Sequence, residues 1–212
     1  MSALEKLIEI GSPPLIKSVP VLGAGIEEMA GLFSGDLLAL LGRKNGLYAF
    51  ESALHIFPAG FQNGVMDIST WNSAELWRSY YQDLADGHLF FAEDIFGFQF
   101  SIRNDGIYSF NSESGAAEKI ADSIEEWAAL VLNDYEFQTG FPFAHEWQLA
   151  NRPLLAHERL FPKYPFVLGG KYELGNLVSS NAVYGMQFRG YVADQIKDLP
   201  EGTRVELVFN PQ

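Results

Sequence analysis

Cysteine is absent from this 212-residue chain. That excludes disulfides, Cys-bearing zinc sites and thiolate nucleophiles. Positive charge is scarce: 14 Lys and Arg stand against 27 Asp and Glu, for a net charge of −13. A nucleic-acid surface needs a positive footprint, so the balance argues against direct DNA or RNA binding. Long apolar runs are missing as well. Stretches such as Leu37 to Leu41 fall far short of the roughly 18 residues of a membrane span. Met1 to Pro20 carries Glu5, Lys6, Glu9 and Lys17, without the basic start, apolar run and small-residue cleavage site of a signal peptide. The expectation is a cytoplasmic protein with no membrane contact.

Catalytic motifs are equally sparse. Gly23-Ala24-Gly25 followed by Glu28 supplies only the front half of a dinucleotide fingerprint, and Pro20 interrupts the strand that should precede it. No GKS or GKT phosphate loop and no G-x-S-x-G elbow occurs. His145-Glu146 and His157-Glu158 do not continue to a second histidine at i+4, so no metal site is expected. His55 and His88 lie in strand-like runs, where a backbone carbonyl is the commoner partner. Glu93-Asp94 could offer a glycosidase carboxylate, and an aromatic content of 14% suits sugar stacking. Neighbours on a strand point to opposite faces, however, and hydrolysis needs two carboxylates across one cleft. No catalytic residue and no cofactor is expected.

What is present is a foldable core: 48% of residues are hydrophobic and 19% charged. Ser34 is placed to cap a helix over Gly35 to Arg43, with Asn45-Gly46 as its stop. Leu47 to Phe50 and Leu54 to Phe57 read as strands closed by Pro58. A second helix is expected after Asn72, with Leu76, Trp77, Tyr80 and Leu84 on its buried stripe. Phe96, Phe98, Phe100 and Ile102 alternate with Gly97, Gln99 and Ser101, the period of a half-buried strand. Asn104-Asp105-Gly106 makes a hairpin turn into a return strand over Ile107 to Phe110. His88 to Ala92 pairs alongside, completing an antiparallel meander. A helix over Gly115 to Asn133, capped by Ser114, buries Ile120, Ile124 and Trp127 and displays Glu118, Asp122 and Glu126 at i, i+4 and i+8. Such like-charge pairs cost roughly 0.2–0.5 kcal/mol each in an isolated helix. The four tryptophans are assigned to core.

Residues 139–212 differ in texture, being richer in Pro, Gly and aromatics. Short strands are expected at Tyr164 to Leu168, Gln187 to Val192 and Arg204 to Phe209, with a turn at Pro200-Glu201-Gly202 before the last. The division predicted is an α+β domain over 1–138 with its lead-in, and a β-rich extension over 139–212 packed on it. Charge follows the same division. Residues 1–138 hold 20 acids against 7 bases, whereas 139–212 hold 7 of each. Within 83–136 twelve acids face only Arg103 and Lys119. A clustered negative surface steers a basic partner; the plain alternative is a solvated face that keeps the protein soluble.

Several of these pieces resemble one known family. The helix ending at Asn45-Gly46, the strand pair closing at Pro58, and Trp71 with Trp77 are arranged like the SUKH superfamily. Leu89-Phe90-Phe91-Ala92-Glu93-Asp94-Ile95-Phe96-Gly97-Phe98-Gln99-Phe100 looks like its apolar strand, acidic residue and glycine, followed by a second strand. Ile120 to Trp127 resembles its closing helix. The likeness covers about residues 26–136. It departs from the family where Leu32-Phe33-Ser34-Gly35 replaces a Leu-Pro before the first core helix, and residues 139–212 have no counterpart. The resemblance implies an antiparallel sheet with helices packed on it, and binding without catalysis. Its bacterial members include immunity proteins that neutralise a co-encoded toxin, often a nuclease; its fungal members are cell-wall-assembly regulators. The leading expectation is therefore an immunity protein that binds a basic toxin stoichiometrically. A regulatory scaffold is the second reading, and a carbohydrate-active hydrolase the third. The partner surface is assigned to Asp94 as a motif position, and to Asp105, Glu118, Asp122 and Glu126 from charge.

Overall fold

The computed structural model describes residues 1–200 and 202–205. Its centre is a six-stranded sheet in which every neighbour is antiparallel and follows in sequence: β1 (Leu47–Ala49), β2 (Leu54–Ile56), β3 (Leu89–Glu93), β4 (Gln99–Arg103), β5 (Gly106–Phe110) and β6 (Ala117–Ala121). Before it come α1 (Ala3–Ile10), α2 (Ala24–Ala30) and α3 (Ser34–Arg43). After it come α5 (Ile124–Asn133), α6 (Tyr135–Thr139) and α7 (Phe141–Ala150), then a ribbon of β7 (Glu158–Pro162) and β8 (Leu177–Asn181), and finally α8 (Ala182–Ile196). The short α4 (Ile68–Trp71) and a 3-10 segment over Arg78–Ala85 lie between β2 and β3. The α+β class expected from the sequence is the one observed.

Helices cover both faces of the sheet. On one, Trp127 of α5 lies 4.9 Å from Phe91 and 5.5 Å from Phe100, ring centre to ring centre. Here α1 packs on α5, and Glu125 accepts hydrogen bonds from the amides of Ala3 and Leu4. On the other face Phe57, Trp71, Trp77, Tyr81 and Phe110 form an unbroken aromatic chain with successive ring centres 4.8 to 5.5 Å apart. All four tryptophans are buried. Burying such rings removes large apolar area from water, worth about 25 cal/mol per Å².

Polar side chains pin the connections. Asn45 donates to the carbonyls of Ser18 and Ala59 and accepts from the Ala59 amide, so it ties the N-terminal lead-in to the chain after β2. Gly46 beside it has φ +72°, and a Cβ there would lie 2.7 Å from Pro58. That explains Asn45-Gly46 and Pro58 as one device. The β1–β2 turn is strained: Phe50, Glu51 and Ser52 all have positive φ, which side-chain-bearing residues rarely adopt. Contacts from α6 and α7 hold it. Phe50 stacks on Tyr135, His145 pairs with Glu51 at 2.9 Å, and Gln148 donates to the Glu51 carbonyl.

Several expected elements are corrected. The helix over Gly115 to Asn133 is instead strand β6 followed by α5. Gly115 has φ +73°, β6 pairs with β5, and the cap is Ser123, whose hydroxyl accepts from the Glu126 amide at 3.1 Å. Ser114 serves a turn, accepting from the Ala116 amide. Ser34 is the first residue of α3 and not its cap. The helix after Asn72 is a 3-10 segment broken at Gln82, with φ +51°. The tighter pitch buries Tyr81, while Tyr80 faces out. The alternating run from Phe96 enters the sheet only at Gln99, because Asp94 to Gly97 form a turn in which Gly97 has φ +76°.

After residue 139 helix dominates strand. Tyr164 to Leu168 contains a 3-10 turn at Phe166–Leu168, and Gln187 to Val192 lies within α8. Of the expected strand Arg204 to Phe209, residues 206–209 lie outside the described residues, as does Glu201 of the preceding turn. The expected boundary at 138 falls inside α6. Ala182, Met186 and Ala193 of α8 belong to the main core, and a smaller apolar cluster joins Ile95 and Phe96 to Trp147, Leu160 and Leu177.

Candidate functional site

The β3–β4 turn is held by hydrogen bonds from several elements. Asp94 Oδ1 accepts hydrogen bonds from the amides of Phe96 and Phe98, each at 2.8 Å. The Ile95 amide donates to the Thr139 carbonyl, and the Leu160 amide donates to the Ile95 carbonyl. The turn is thus clamped between the α6–α7 joint and β7. From α8, the Arg189 guanidinium donates to the Phe96 carbonyl, to Ser112 Oγ at 2.9 Å, and to Glu113 at 3.1 Å.

Over this turn opens a pocket of about 350 Å³. Its walls come from Phe96 and Phe98 in the turn, Phe100 and Ser109 on β4 and β5, Glu136 and Phe137 of α6, Phe143 of α7, and Tyr172 from the ribbon loop. Gly140 makes the α6–α7 joint fit. Its φ is +67°, and a Cβ there would lie 2.6 Å from the Phe96 ring and 2.7 Å from Ile95. Phe96 meets Phe143 and Tyr172 edge to face at 5.6 and 5.7 Å. Among the described residues, no lysine, arginine or histidine lines the pocket.

Asp94 lies in this lining, 6% exposed. Among the described residues nothing hydrogen-bonds its Oδ2. Burial pushes its carboxyl up to about 8, against the opposing pull of two amides and of Arg189. At neutral pH it is therefore mostly protonated. The same burial pushes the Tyr172 phenol up to about 12, with Glu113 and Asp94 adding to the shift.

The adjacent residue faces the other way. Glu93 lies 2.8 Å from Arg159 and 3.1 Å from His55 Nδ1, and accepts from Gln99 at 3.2 Å; all four side chains are buried. Burial opposes the charge on Glu93, but Arg159, His55 and Gln99 together hold its carboxyl below the usual range. Burial drives His55 down to about 4. His88 is also driven to about 4, by burial and then by Arg103 and Arg78. Both histidines have side-chain partners, Glu93 for His55 and Ser101 at 2.7 Å for His88, where a backbone carbonyl was expected. No group of three or more potential metal ligands occurs among the described residues.

Of the five residues assigned to a partner surface, Asp94 is buried, whereas Asp105, Glu118, Asp122 and Glu126 are exposed. Asp94 is in the pocket. Asp105 and Asp122 converge on Lys119, at 4.0 and 2.7 Å. Glu126 accepts from the Asp122 amide at 2.9 Å and so finishes the entry to α5. Glu118 stands exposed on the edge strand β6, opposite Ser109. The row at i, i+4 and i+8 does not exist, because Glu118 and Asp122 both precede the helix. Sequence reading missed Phe137, Phe143 and Tyr172, which come from three separate elements. The aromatic density of residues 139–212 hinted at Phe143 and Tyr172, but Phe137 precedes that segment.

No family model matches the chain, and no curated protein matches it. Among solved structures, the crystal structure of Atu4351 from Agrobacterium tumefaciens is similar over 88% of this chain and 88% of its own, with a TM-score of 0.58 and 10% sequence identity. At that identity the likeness is one of fold: an antiparallel sheet with helices packed on it is an arrangement this chain shares with a known structure.

Proposed function

We propose that this chain is a non-catalytic, cytoplasmic binding protein that neutralises a basic protein partner by stoichiometric association, in the manner of an immunity protein against a toxin. The observation that carries the reading is the charge on the outer surface between residues 83 and 136. Nine of the twelve acids there are exposed, whereas Lys119 is the one exposed base and Arg103 is half-buried. Buried Glu93, Asp94 and Glu113 serve the interior. Surface charge of one sign speeds encounter with a basic partner and disfavours wrong ones. The resemblance to the SUKH superfamily points the same way.

The test is affinity capture at low and high salt, with bound proteins identified by mass and then expressed with and without this chain. One stoichiometric basic partner, toxic alone and rescued by this chain, supports the reading. Its association rate should fall with salt and slow several-fold when Asp105, Glu118 and Asp122 are replaced by their amides. Several partners with little salt dependence favour a regulatory scaffold.

A second reading is favoured by one observation: Asp94, its carboxyl raised by burial, shares the lining of an aromatic pocket with Glu136, and glycoside hydrolysis also uses two carboxyl groups across one cleft. Turnover of glycosides that is lost in Asp94→Asn without loss of folding would select it.

A further inference from the structure

We infer that the pocket over Asp94 is a receptor for an organic cation of the alkylammonium class. The walls are rings: Phe96, Phe98, Phe143 and Tyr172, with Phe137 standing 80% exposed at the rim. Ring faces attract cations through their quadrupole, by about 0.5–2 kcal/mol depending on desolvation. Among the described residues, two carboxyl groups, Asp94 and Glu136, share the lining, and no basic side chain does. Behind the wall, Arg189 pairs with Glu113 at 3.1 Å and covers one side of the Phe98 ring at 5.1 Å, which leaves the rings of Phe96, Phe143 and Tyr172 for a ligand. Asp94 is 6% exposed, and among the described residues no group hydrogen-bonds its Oδ2. Its partner oxygen is fixed by two amides, so the carboxyl is held in place before any ligand arrives. An entering ammonium gives the carboxylate form its counter-ion and expels the proton that burial alone retains.

The same chemistry has two sources, a free quaternary ammonium or a lysine side chain of a protein. The inference does not rest on the partner proposed above. Choline and Nα-acetyl-lysine amide would be titrated into the full chain by NMR, each beside its uncharged carbon isostere. Saturable shifts at the amides of Phe96, Gly97 and Phe98 are expected for a cation, with affinity at least about tenfold above the isostere, equivalent to about 1.4 kcal/mol. Preference for choline identifies a free ligand; preference for the lysine amide identifies a protein side chain.

Charged groups around Asp94 are Arg189 from α8, Glu113 ahead of β6, Glu93 from β3, Glu136 from α6 and Tyr172 from the ribbon loop. Cation affinity should rise with pH and level off above about 8, where the proton no longer competes. Asp94→Asn keeps an acceptor for both amides. It should remain folded, bind about tenfold more weakly and lose the pH dependence. Phe137→Ala, at an exposed rim, should weaken binding without touching the fold. Equal affinity for cation and isostere, shifts elsewhere in the protein, or unchanged binding in both variants would overturn the inference.

Discussion

Three buried side chains with large shifts shape how stability responds to acid and base between about pH 4 and 8. His55 and His88 titrate near 6.5 when unfolded and are held down to about 4 in the fold. Between those values the unfolded chain binds more protons, so stability falls as pH drops from about 6.5 to about 4, at about 1.4 kcal/mol per unit for each histidine. Asp94 acts with the opposite sign. Its carboxyl is raised to about 8, so between about 4 and 8 the folded chain holds a proton that the unfolded chain does not, and stability falls as pH rises. Two histidines outweigh one aspartate on the acid side, and above about 6.5 Asp94 acts alone. Thermal melts should therefore show maximum stability near pH 6.5, and Asp94→Asn should remove the alkaline decline while leaving the acid limb. A melting temperature flat from pH 6.5 to 8 in the parent chain would refute the assignment to Asp94. None of this was legible in the sequence, where Glu93-Asp94 read as a possible glycosidase carboxylate and Asp94 as a motif position of a partner surface.

At the scale of elements, β6 and α5 show how periodicity misleads. Ile120, Ile124 and Trp127 satisfy a helical stripe, and the acids between them fit an exposed face. The choice was made by pairing with β5 and by Ser123, whose hydroxyl offers the first turn of α5 an acceptor. Ser123→Ala should cost about 1 kcal/mol, read as a lower denaturant midpoint with unchanged slope, whereas Ser114→Ala should leave the helix content unaltered. If Ser114→Ala were instead the costlier change, the helix would begin where its sequence pattern first suggests. The hairpin β4–β5 was legible because Asn104-Asp105-Gly106 acts locally.

For the whole molecule, the decisive contacts join distant parts of the chain. Arg189 on α8 reaches the Phe96 carbonyl, Ser112 and Glu113, tying the last described helix to the pocket turn and to the chain before β6. Removing one partner strands a buried charge. Arg189→Ala should destabilise the protein by about 3–5 kcal/mol, and Arg189→Met with Glu113→Leu should recover most of that loss. Denaturant midpoints of the two variants measure the difference. Equal loss in both would mean that packing, and not the ion pair, dominates at this site.

Composition, charge segregation and short-range turn chemistry determined much by themselves: an α+β class, an antiparallel meander, buried tryptophans and an acidic first two-thirds of the chain. These follow from interactions between residues a few positions apart, or from sums over many residues. The tertiary structure alone decided that Glu93 and Glu113 are interior counter-ions, that residues 117–121 are strand, and that Asp94 shares a pocket with Phe137, Phe143 and Tyr172. The reason is physical. Desolvation and side-chain pairing act through space, and no local pattern records which distant residue will supply a buried carboxylate with its neighbour.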